Sequence, residues 1–168
     1  MKIGLDISQI VYKGTGVAKY TTELVENLLS LDKKDDYLLF FSSLRGTADF
    51  SFLQGENLIL KRFKMPPLFL EQVWNNFHFL SIDKFIGKVD VFHSSDWTQP
   101  PTSAKKVTTI HDLSVFTNPE NFHRRGGHDI VANQKRRLEW VKKEVDVIIA
   151  DSNATKTDIV HYLNISPE

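Results

Sequence analysis

The sequence predicts an α/β fold, a doubly wound parallel sheet of the Rossmann-like type. Short runs of almost continuously apolar residues alternate along the chain with amphipathic helical stretches. That alternation is typical of parallel strands covered by helices on both faces of the sheet. The length of 168 residues fits one domain with a substantial core, so residues 1–168 are interpreted as a single domain.

The first half of the chain predicts three strands and two helices. Residues 2–7 form an apolar run that opens into a glycine-containing loop at 8–16. The next apolar stripe has the spacing of one helical face: Val17, Thr21, Leu24, Leu28 and Leu31. Further strands are predicted at 37–41 and 58–63, and a proline pair then precedes a predicted aromatic-rich helix over 68–86.

The second half repeats one pattern. Asp90 and Asp146 each stand just before an apolar run, at 91–93 and 147–149, and another strand is predicted at 106–110. Between the last two strands lies a long helix with this inner stripe: Val131, Gln134, Leu138, Val141 and Val145. Ser152 follows the final strand and is the predicted N-cap of a helix over 153–163.

Composition excludes several classes of protein. Lys and Arg number 21 and Asp and Glu number 21, and this zero net charge argues against a dedicated nucleic-acid binder. The absence of cysteine excludes disulfides, thiolate zinc sites, iron–sulfur clusters and a thiol nucleophile, and it fits the cytoplasm. No apolar run approaches the roughly 18 residues of a membrane span, and Asp6 lies where a signal peptide needs its apolar stretch. We therefore expect a cytoplasmic protein without an integral membrane segment.

The candidate site residues follow four of the predicted strands. In a doubly wound sheet, ligands bind in the crevice at the carboxyl ends of the strands, so these residues are predicted to line one rim. They are Gly14, Thr15, Gly16, Lys19 and Tyr20 after the first strand, His93, Asp96 and Trp97 after the fourth, His111 and Asp112 after the fifth, and Ser152 after the sixth.

The glycine loop fails two nucleotide-binding fingerprints. A dinucleotide site has a third glycine where Lys19 stands and an acidic residue after the second strand, where this chain has Ser42 and Ser43. A Walker loop ends in Gly-Lys-Ser/Thr, but Gly87-Lys88 continues with valine. Two interpretations stay open: a plain strand-to-helix turn, or a helix start whose free amides bind an anionic group.

Two histidines close consecutive apolar strands, and each is followed by an acidic residue. A metal site at His93 and His111 is disfavoured, because their spacing implies no third or fourth ligand. A hydrogen-bonding or general-base role fits His111, which ends a rigid strand at the crevice. Packing within the core is the simpler interpretation of His93. The chain also lacks the Asp-x-Asp pair with which one class of sugar-nucleotide enzymes holds its metal.

Two segments carry an unusual composition. The predicted helix over 68–86 is rich in Phe and Trp, and residues 123–143 carry a strong excess of Lys and Arg. Packing of the aromatic side chains in the core explains the first segment simply. A basic helix face exposed to solvent explains the second. The alternative is peripheral contact with an anionic membrane or a phosphate-bearing ligand.

The chain resembles the N-terminal domain of GT-B glycosyltransferases, in particular family 4, which includes mannosyl- and other hexosyl-transferases for bacterial cell-surface polysaccharides. The resemblance covers nearly the whole chain and rests on four motifs in order. They are Gly14 to Tyr20 with its glycine loop, Val91-Phe92-His93, Thr109-Ile110-His111-Asp112-Leu113, and Ala150-Asp151-Ser152. Thr15 departs from the glycine that many family members have at that position.

The resemblance implies a role for several residues. The amide of Gly16 would approach the diphosphate of a nucleotide-sugar donor, His111 would bind a hydroxyl of the transferred sugar, and Asp112 would orient the loop or the acceptor. The remaining candidates, His93, Asp96, Trp97, Lys19, Tyr20 and Ser152, would bind substrate. Metal-independent transfer with retention of anomeric configuration is the family expectation.

The resemblance also implies a missing half. In this fold, a C-terminal domain binds the donor nucleotide, so the chain is expected to be the acceptor-side half and inactive alone. That domain would belong to the same polypeptide or to a separate chain. Together the two domains would transfer the sugar to a glycan or lipid-linked acceptor at the cytoplasmic face of the membrane. The alternative is a standalone, non-catalytic module that binds a glycan, a lipid or a protein.

Overall fold

Parallel strands form one sheet in the computed structural model, which describes residues 1–122 and 129–166. The strands are β1 (Lys2–Asp6), β2 (Asp36–Ser42), β3 (Leu58–Phe63), β4 (Val91–Ser94), β5 (Lys105–Ile110) and β6 (Val147–Ala150). They pair in the order β3-β2-β1-β4-β5-β6, and all five pairings are parallel. The predicted Rossmann-like α/β fold is therefore confirmed, with the strand order reversing between β1 and β4.

Helices cover the sheet between these strands. They are α1 (Gly16–Leu31), α2 (Pro67–Leu70), α3 (Asp83–Ile86), α4 (Ser114–Thr117), α5 (Ile130–Glu144) and α6 (Asn153–Leu163). A π-helical stretch, Glu71–Asn76, continues directly from α2. Side chains cap three of the longer helices, because Thr15, Asp129 and Ser152 accept hydrogen bonds from the free amides of α1, α5 and α6. The predicted N-cap at Ser152 is thus confirmed.

Buried side chains form clusters on both faces of the sheet. One packs Trp74 of the π-helical stretch against Phe40 and Phe92 of the sheet, and another packs α1 against the first strands. A third packs α5 and α6 against β5 and β6. β6 lies at the edge of the described sheet, and Val147 and Ile149 are exposed there, so the prediction that helices cover both faces of the sheet is wrong for this strand.

The repeated aspartates fix the amino ends of the strands. Asp90 Oδ2 accepts a hydrogen bond from the Lys2 amide at 2.7 Å, and Asp146 Oδ2 accepts one from the Lys106 amide at 2.8 Å. Each carboxylate therefore satisfies a backbone donor at the start of a neighbouring strand.

Two helix predictions are wrong in detail. The predicted helix over 68–86 is broken, because His78 and Leu80 have φ angles of 50° and 66° in the left-handed region that interrupts a helix. In α1, the predicted stripe is displaced, since Leu31 is 83% exposed. The buried stripe is Ala18, Thr21, Val25 and Leu29.

Candidate functional site

A narrow polar cleft lies at the carboxyl ends of β1, β4 and β5. The polar cleft is defined by five side chains: Tyr20, His93, Asp96, Thr109 and His111. Its free volume is about 20 Å³, so its walls are nearly in contact. The structure therefore brings together Tyr20, His93, Asp96 and His111, which were predicted from separate strand ends.

A chain of hydrogen bonds joins α1 to β4 and β5. The Tyr20 hydroxyl lies 2.8 Å from Thr109 Oγ1, which lies 3.0 Å from Nε2 of His93. Burial, with the nearby charges of Arg137 and His111, lowers the pKa of His93 to about 4. His93 is therefore a neutral hydrogen-bonding group at physiological pH.

His111 is oriented from three sides. Its Nδ1 lies 3.0 Å from Oδ2 of Asp151, and its ring meets the Tyr20 ring edge-on with centroids 4.7 Å apart. Thr155 Oγ1 donates to the His111 carbonyl oxygen at 2.9 Å. With Nδ1 engaged, Nε2 is the ring nitrogen that has no hydrogen-bond partner within residues 1–122 and 129–166.

Arg137 lies beneath the polar cleft with 2% of its surface exposed. Its Nη2 donates to the Ser95 carbonyl oxygen at 3.2 Å and to Thr108 Oγ1 at 2.8 Å. Burial lowers the pKa of Arg137 to about 10. Burial also raises the pKa of Asp96, while the positive charge of Arg137 opposes that shift. The guanidinium thus joins the loop after β4 to β5.

The structure divides the basic segment over 123–143. Lys135, Arg136, Lys142 and Lys143 are exposed on α5 and form the predicted basic face, whereas Arg137 is interior and does not belong to it. Contact of that face with an anionic membrane or ligand stays a prediction. Arg124 and Arg125, which belong to the same segment, lie outside the described residues.

The loop after β4 is held by the π-helical stretch. Trp97 Nε1 donates to Oε1 of Glu71, and Asn75 Nδ2 donates to the Trp97 carbonyl oxygen at 3.0 Å. Asn75 Oδ1 accepts from the Gln99 amide, also at 3.0 Å. The extra residue per turn in a π-helical stretch is frequently found at functional sites. Here the stretch fixes the position of Trp97.

Trp97 separates two cavities. The larger, which we call the Trp97 cavity, has a volume of about 430 Å³ and lies at the carboxyl ends of β1, β2 and β4. Its lining includes Asp6, Tyr12, Ser42, Arg45, Pro66 and Trp97. Burial raises the pKa of the Asp6 carboxyl in its wall. The smaller cavity, of about 140 Å³, is lined by residues that include Asp96, His111, Asp112 and Arg137.

The glycine loop lines a different groove. Gly14 has a φ of 83°, which favours glycine, and Thr15 Oγ1 caps α1 by accepting from the Ala18 amide at 3.2 Å. A Cβ added at Gly16 would meet no atom within 4 Å. Gly14, Thr15, Gly16 and Lys19 border a groove of about 630 Å³ on the far side of the first turn of α1 from His111.

Two of the other predicted residues make local hydrogen bonds. Asp112 Oδ1 accepts from the Ser114 amide at 2.8 Å, at the start of α4, and the residue borders the smaller cavity beside His111. Ser152 Oγ accepts from the Thr155 amide at 3.0 Å. Their roles toward a substrate stay predictions.

Neither a cluster of metal ligands nor a membrane-spanning helix is present in the described part of the chain. Over 1–122 and 129–166, no three His, Asp or Glu side chains are grouped so that they could hold a metal ion. Within the same ranges, no helix has the length and apolar character needed to cross a membrane.

Comparison with known proteins decides the family. The sequence profile described as Glycosyltransferase Family 4 matches residues 14–168. This chain belongs to glycosyltransferase family 4. It is 24% identical over 181 aligned residues to the O-antigen chain mannosyltransferase B of Escherichia coli, with 98% of the chain and 44% of that relative covered. The family 4 chain thus spans less than half the length of the curated relative that it matches.

Sequence reasoning missed several residues of this family 4 domain. Thr109 and Arg137 were not predicted as site residues, because Thr109 lies inside a strand and Arg137 lies inside a basic helix. Asp151 stands at a strand end and belongs to the motif Ala150-Asp151-Ser152, and both facts were signals of a site residue, although neither indicated its contact with His111. Asp6 gave the same signal at the end of β1.

Proposed function

We propose that the chain is the acceptor-side half of a retaining glycosyltransferase that moves a hexose from a nucleotide-sugar to a glycan or lipid-linked acceptor. The observation that carries the proposal is His111, which Asp151 and Tyr20 orient at the carboxyl edge of the sheet in a family 4 chain. The relative from E. coli, whose name specifies mannosyl transfer onto an O-antigen chain, supports a hexose and a saccharide acceptor.

His111 binds the transferred sugar in this proposal. Its Nδ1 is engaged by Asp151, so Nε2 makes the hydrogen bond to a sugar hydroxyl. The amides at the start of α1 face the diphosphate, with Gly16 leaving room for its approach. As the glycosidic bond breaks, negative charge develops on the leaving phosphate, and backbone donors already fixed at a helix start stabilise it without reorganising. Asp112 orients the loop beside His111.

A second domain completes the site in this proposal. The glycine loop and the polar cleft lie on opposite sides of the first turn of α1, and a donor-binding domain facing the carboxyl edge would place one nucleotide-sugar against both. The greater length of the matched relative supports such a domain. The chain alone is then inactive, and the two-domain assembly works in the cytoplasm without a metal ion.

The test is a transfer assay on the two-domain assembly with nucleotide-activated hexoses and an oligosaccharide acceptor, with and without a chelator. We expect transfer that survives chelation, a product whose anomeric proton shows retained configuration, and no turnover by residues 1–168 alone. Turnover by the isolated chain, or no transfer by the assembly with any nucleotide-hexose, would contradict the proposal.

A further inference from the structure

A polar side chain interrupts the inner stripe of α5. Gln134 lies one turn before Leu138 and two turns before Val141 on the face that packs against the sheet, and 9% of its surface is exposed. Its side-chain amide makes no hydrogen bond within residues 1–122 and 129–166. A buried amide without a partner costs free energy comparable to a lost hydrogen bond, so an apolar residue would suit the fold better. A group of this kind calls for an explanation in function.

Gln134 borders the smaller cavity, which lies beside His111 and the exposed Asp112. The volume of about 140 Å³ is that of about four or five water molecules at roughly 30 Å³ each, which is more than one bridging water needs. The apolar part of the wall consists of Ile110, Val115, Phe122, Ile130 and Leu138. An apolar wall with a few polar groups is typical of small-ligand sites.

Further unsatisfied polar groups belong to residues of the same lining. Oδ1 of Asp96 and Nε of Arg137 are buried and have no hydrogen-bond partner among the described residues. Asp96 also forms no ion pair anywhere in the described part of the chain. His111 contributes its unengaged Nε2. A wall with these groups suits a molecule rich in hydroxyl groups, each of which both donates and accepts hydrogen bonds.

The charges around the smaller cavity favour a neutral ligand. The carboxyl groups of Asp96 and Asp112 both belong to its lining. The guanidinium of Arg137, which would attract an anion, donates through Nη2 to Ser95 and Thr108 instead. An acid group on a ligand would therefore meet two carboxylates, whereas hydroxyl groups can donate to them.

We propose that Gln134 is a specificity residue for the acceptor, and that its side-chain amide binds a hydroxyl group of a neutral sugar ring in the smaller cavity. This rests on the proposed function in one respect, namely that the sugar bound there is the acceptor. Asp96 is the second contact, because its carboxylate accepts from the same ring and disfavours sugars that carry an acid group. His111 lines both the smaller cavity and the polar cleft, so the ring lies next to the transferred hexose.

The first experiment separates a binding role of Gln134 from a structural one. Gln134→Leu removes the unpaired amide and keeps a side chain of similar size. We expect this variant to unfold at a higher urea concentration than the wild type, because no hydrogen bond is lost and an apolar group is buried. Gln54→Leu, which changes an exposed glutamine outside the cavity, should leave the midpoint unchanged. A lower midpoint for Gln134→Leu would show that the amide stabilises the fold through buried water, and would overturn the proposal.

The second experiment measures sugar binding by the chain with NMR. The probes are the methyl glycosides of mannose, glucose and galactose and of their uronic acids, and the Gln134 amide resonances are those that Gln134→Leu lacks. We expect a neutral glycoside to shift these resonances, and its Kd to rise about tenfold in Gln134→Leu. The matching uronic acid should bind at least about tenfold more weakly than the neutral glycoside, and Asp96→Asn should reduce that difference. No shift with any glycoside, or equal affinity in wild type and Gln134→Leu, would overturn the proposal.

The role toward the acceptor is tested on the two-domain assembly. Gln134→Leu should raise KM for a neutral saccharide acceptor about tenfold and leave KM for the nucleotide-sugar unchanged. A raised KM for the nucleotide-sugar with an unchanged KM for the acceptor would make the smaller cavity a donor site and overturn the assignment. If the wild-type assembly transfers no hexose, the proposed function fails, whereas the NMR result on the chain still decides whether Gln134 binds a sugar.

Discussion

The two halves of the carboxyl edge are built in different ways. At the ends of β1, β4 and β5, polar side chains bond to one another, as Tyr20, Thr109 and His93 do, and the polar cleft between them has about 20 Å³ of free space. At the ends of β1, β2 and β4, the edge opens into the Trp97 cavity of about 430 Å³, with the exposed side chains of Tyr12 and Leu44 in its lining.

The difference separates positioning from recognition. Closely packed, mutually bonded polar groups hold a side chain such as His111 in one geometry, which transfer chemistry requires. An open cavity with an apolar border accommodates a bulky molecule by contact area instead. Substitutions in the polar half should therefore lower the stability of the fold, whereas substitutions in the open half should weaken ligand binding.

The buried guanidinium gives the largest expected effect on stability. Arg137→Ala leaves the Ser95 carbonyl and Thr108 without their donor and Asp96 without its nearby positive charge. We expect the free energy of unfolding to fall by about 3 kcal/mol. Urea denaturation measures it, with the exposed neighbour in Arg136→Ala expected to change by less than about 0.5 kcal/mol. Equal effects would remove the distinction between buried and exposed basic residues.

The pH dependence of stability tests the neutral state of His93. Its folded pKa of about 4 lies below the unfolded value of 6.5, so the unfolded state takes up the proton first as pH falls. Between pH 7 and 5 the wild type should lose about 2 kcal/mol more stability than His93→Asn, which has no group to titrate there. Denaturant midpoints across this range measure the difference. Parallel curves for the two proteins would show that His93 titrates normally in the fold.

Two glycines of one loop should respond differently. Gly14→Ala forces a side chain into a φ of 83° and should lower the free energy of unfolding by about 1 kcal/mol. Gly16→Ala meets open space, so stability should be unchanged or slightly higher. In the two-domain assembly, Gly16→Ala should nevertheless slow transfer if the proposed function holds, because the added methyl group would lie where the proposal places the diphosphate. Transfer at the wild-type rate would show that the space beside Gly16 has no role.

The fold could be predicted because the sequence patterns that specify its strands and helices are local. Apolar runs and amphipathic stripes give the strand and helix order, and Ser152 marks a helix start by its own chemistry. The break in the predicted aromatic helix was not predictable in this way. His78 is held in its left-handed conformation by Trp140, which stacks on its ring at 3.7 Å, and by Glu144, both distant in sequence.

The candidate site was predictable only in part for a related reason. Strand ends are visible in the sequence, so His111 and Tyr20 could be named before their contact was known. The interior position of Arg137 depends on which face of α5 meets the sheet. Its neighbours in the sequence are also basic, so the sequence does not show that Arg137 lies on the buried face. The Trp97 cavity depends on four separate chain segments meeting at one edge, which no local pattern specifies.

The most direct test of the proposed function is the transfer rate of the two-domain assembly carrying His111→Ala. His161→Ala, which changes an exposed histidine on α6, is the matched control. We expect His111→Ala to lower the rate by about a hundredfold or more without loss of folding, since a fixed hydrogen-bonding group is removed from the reacting sugar. The control should transfer at the wild-type rate. An unchanged rate for His111→Ala would contradict the assignment of the polar cleft as the site of transfer.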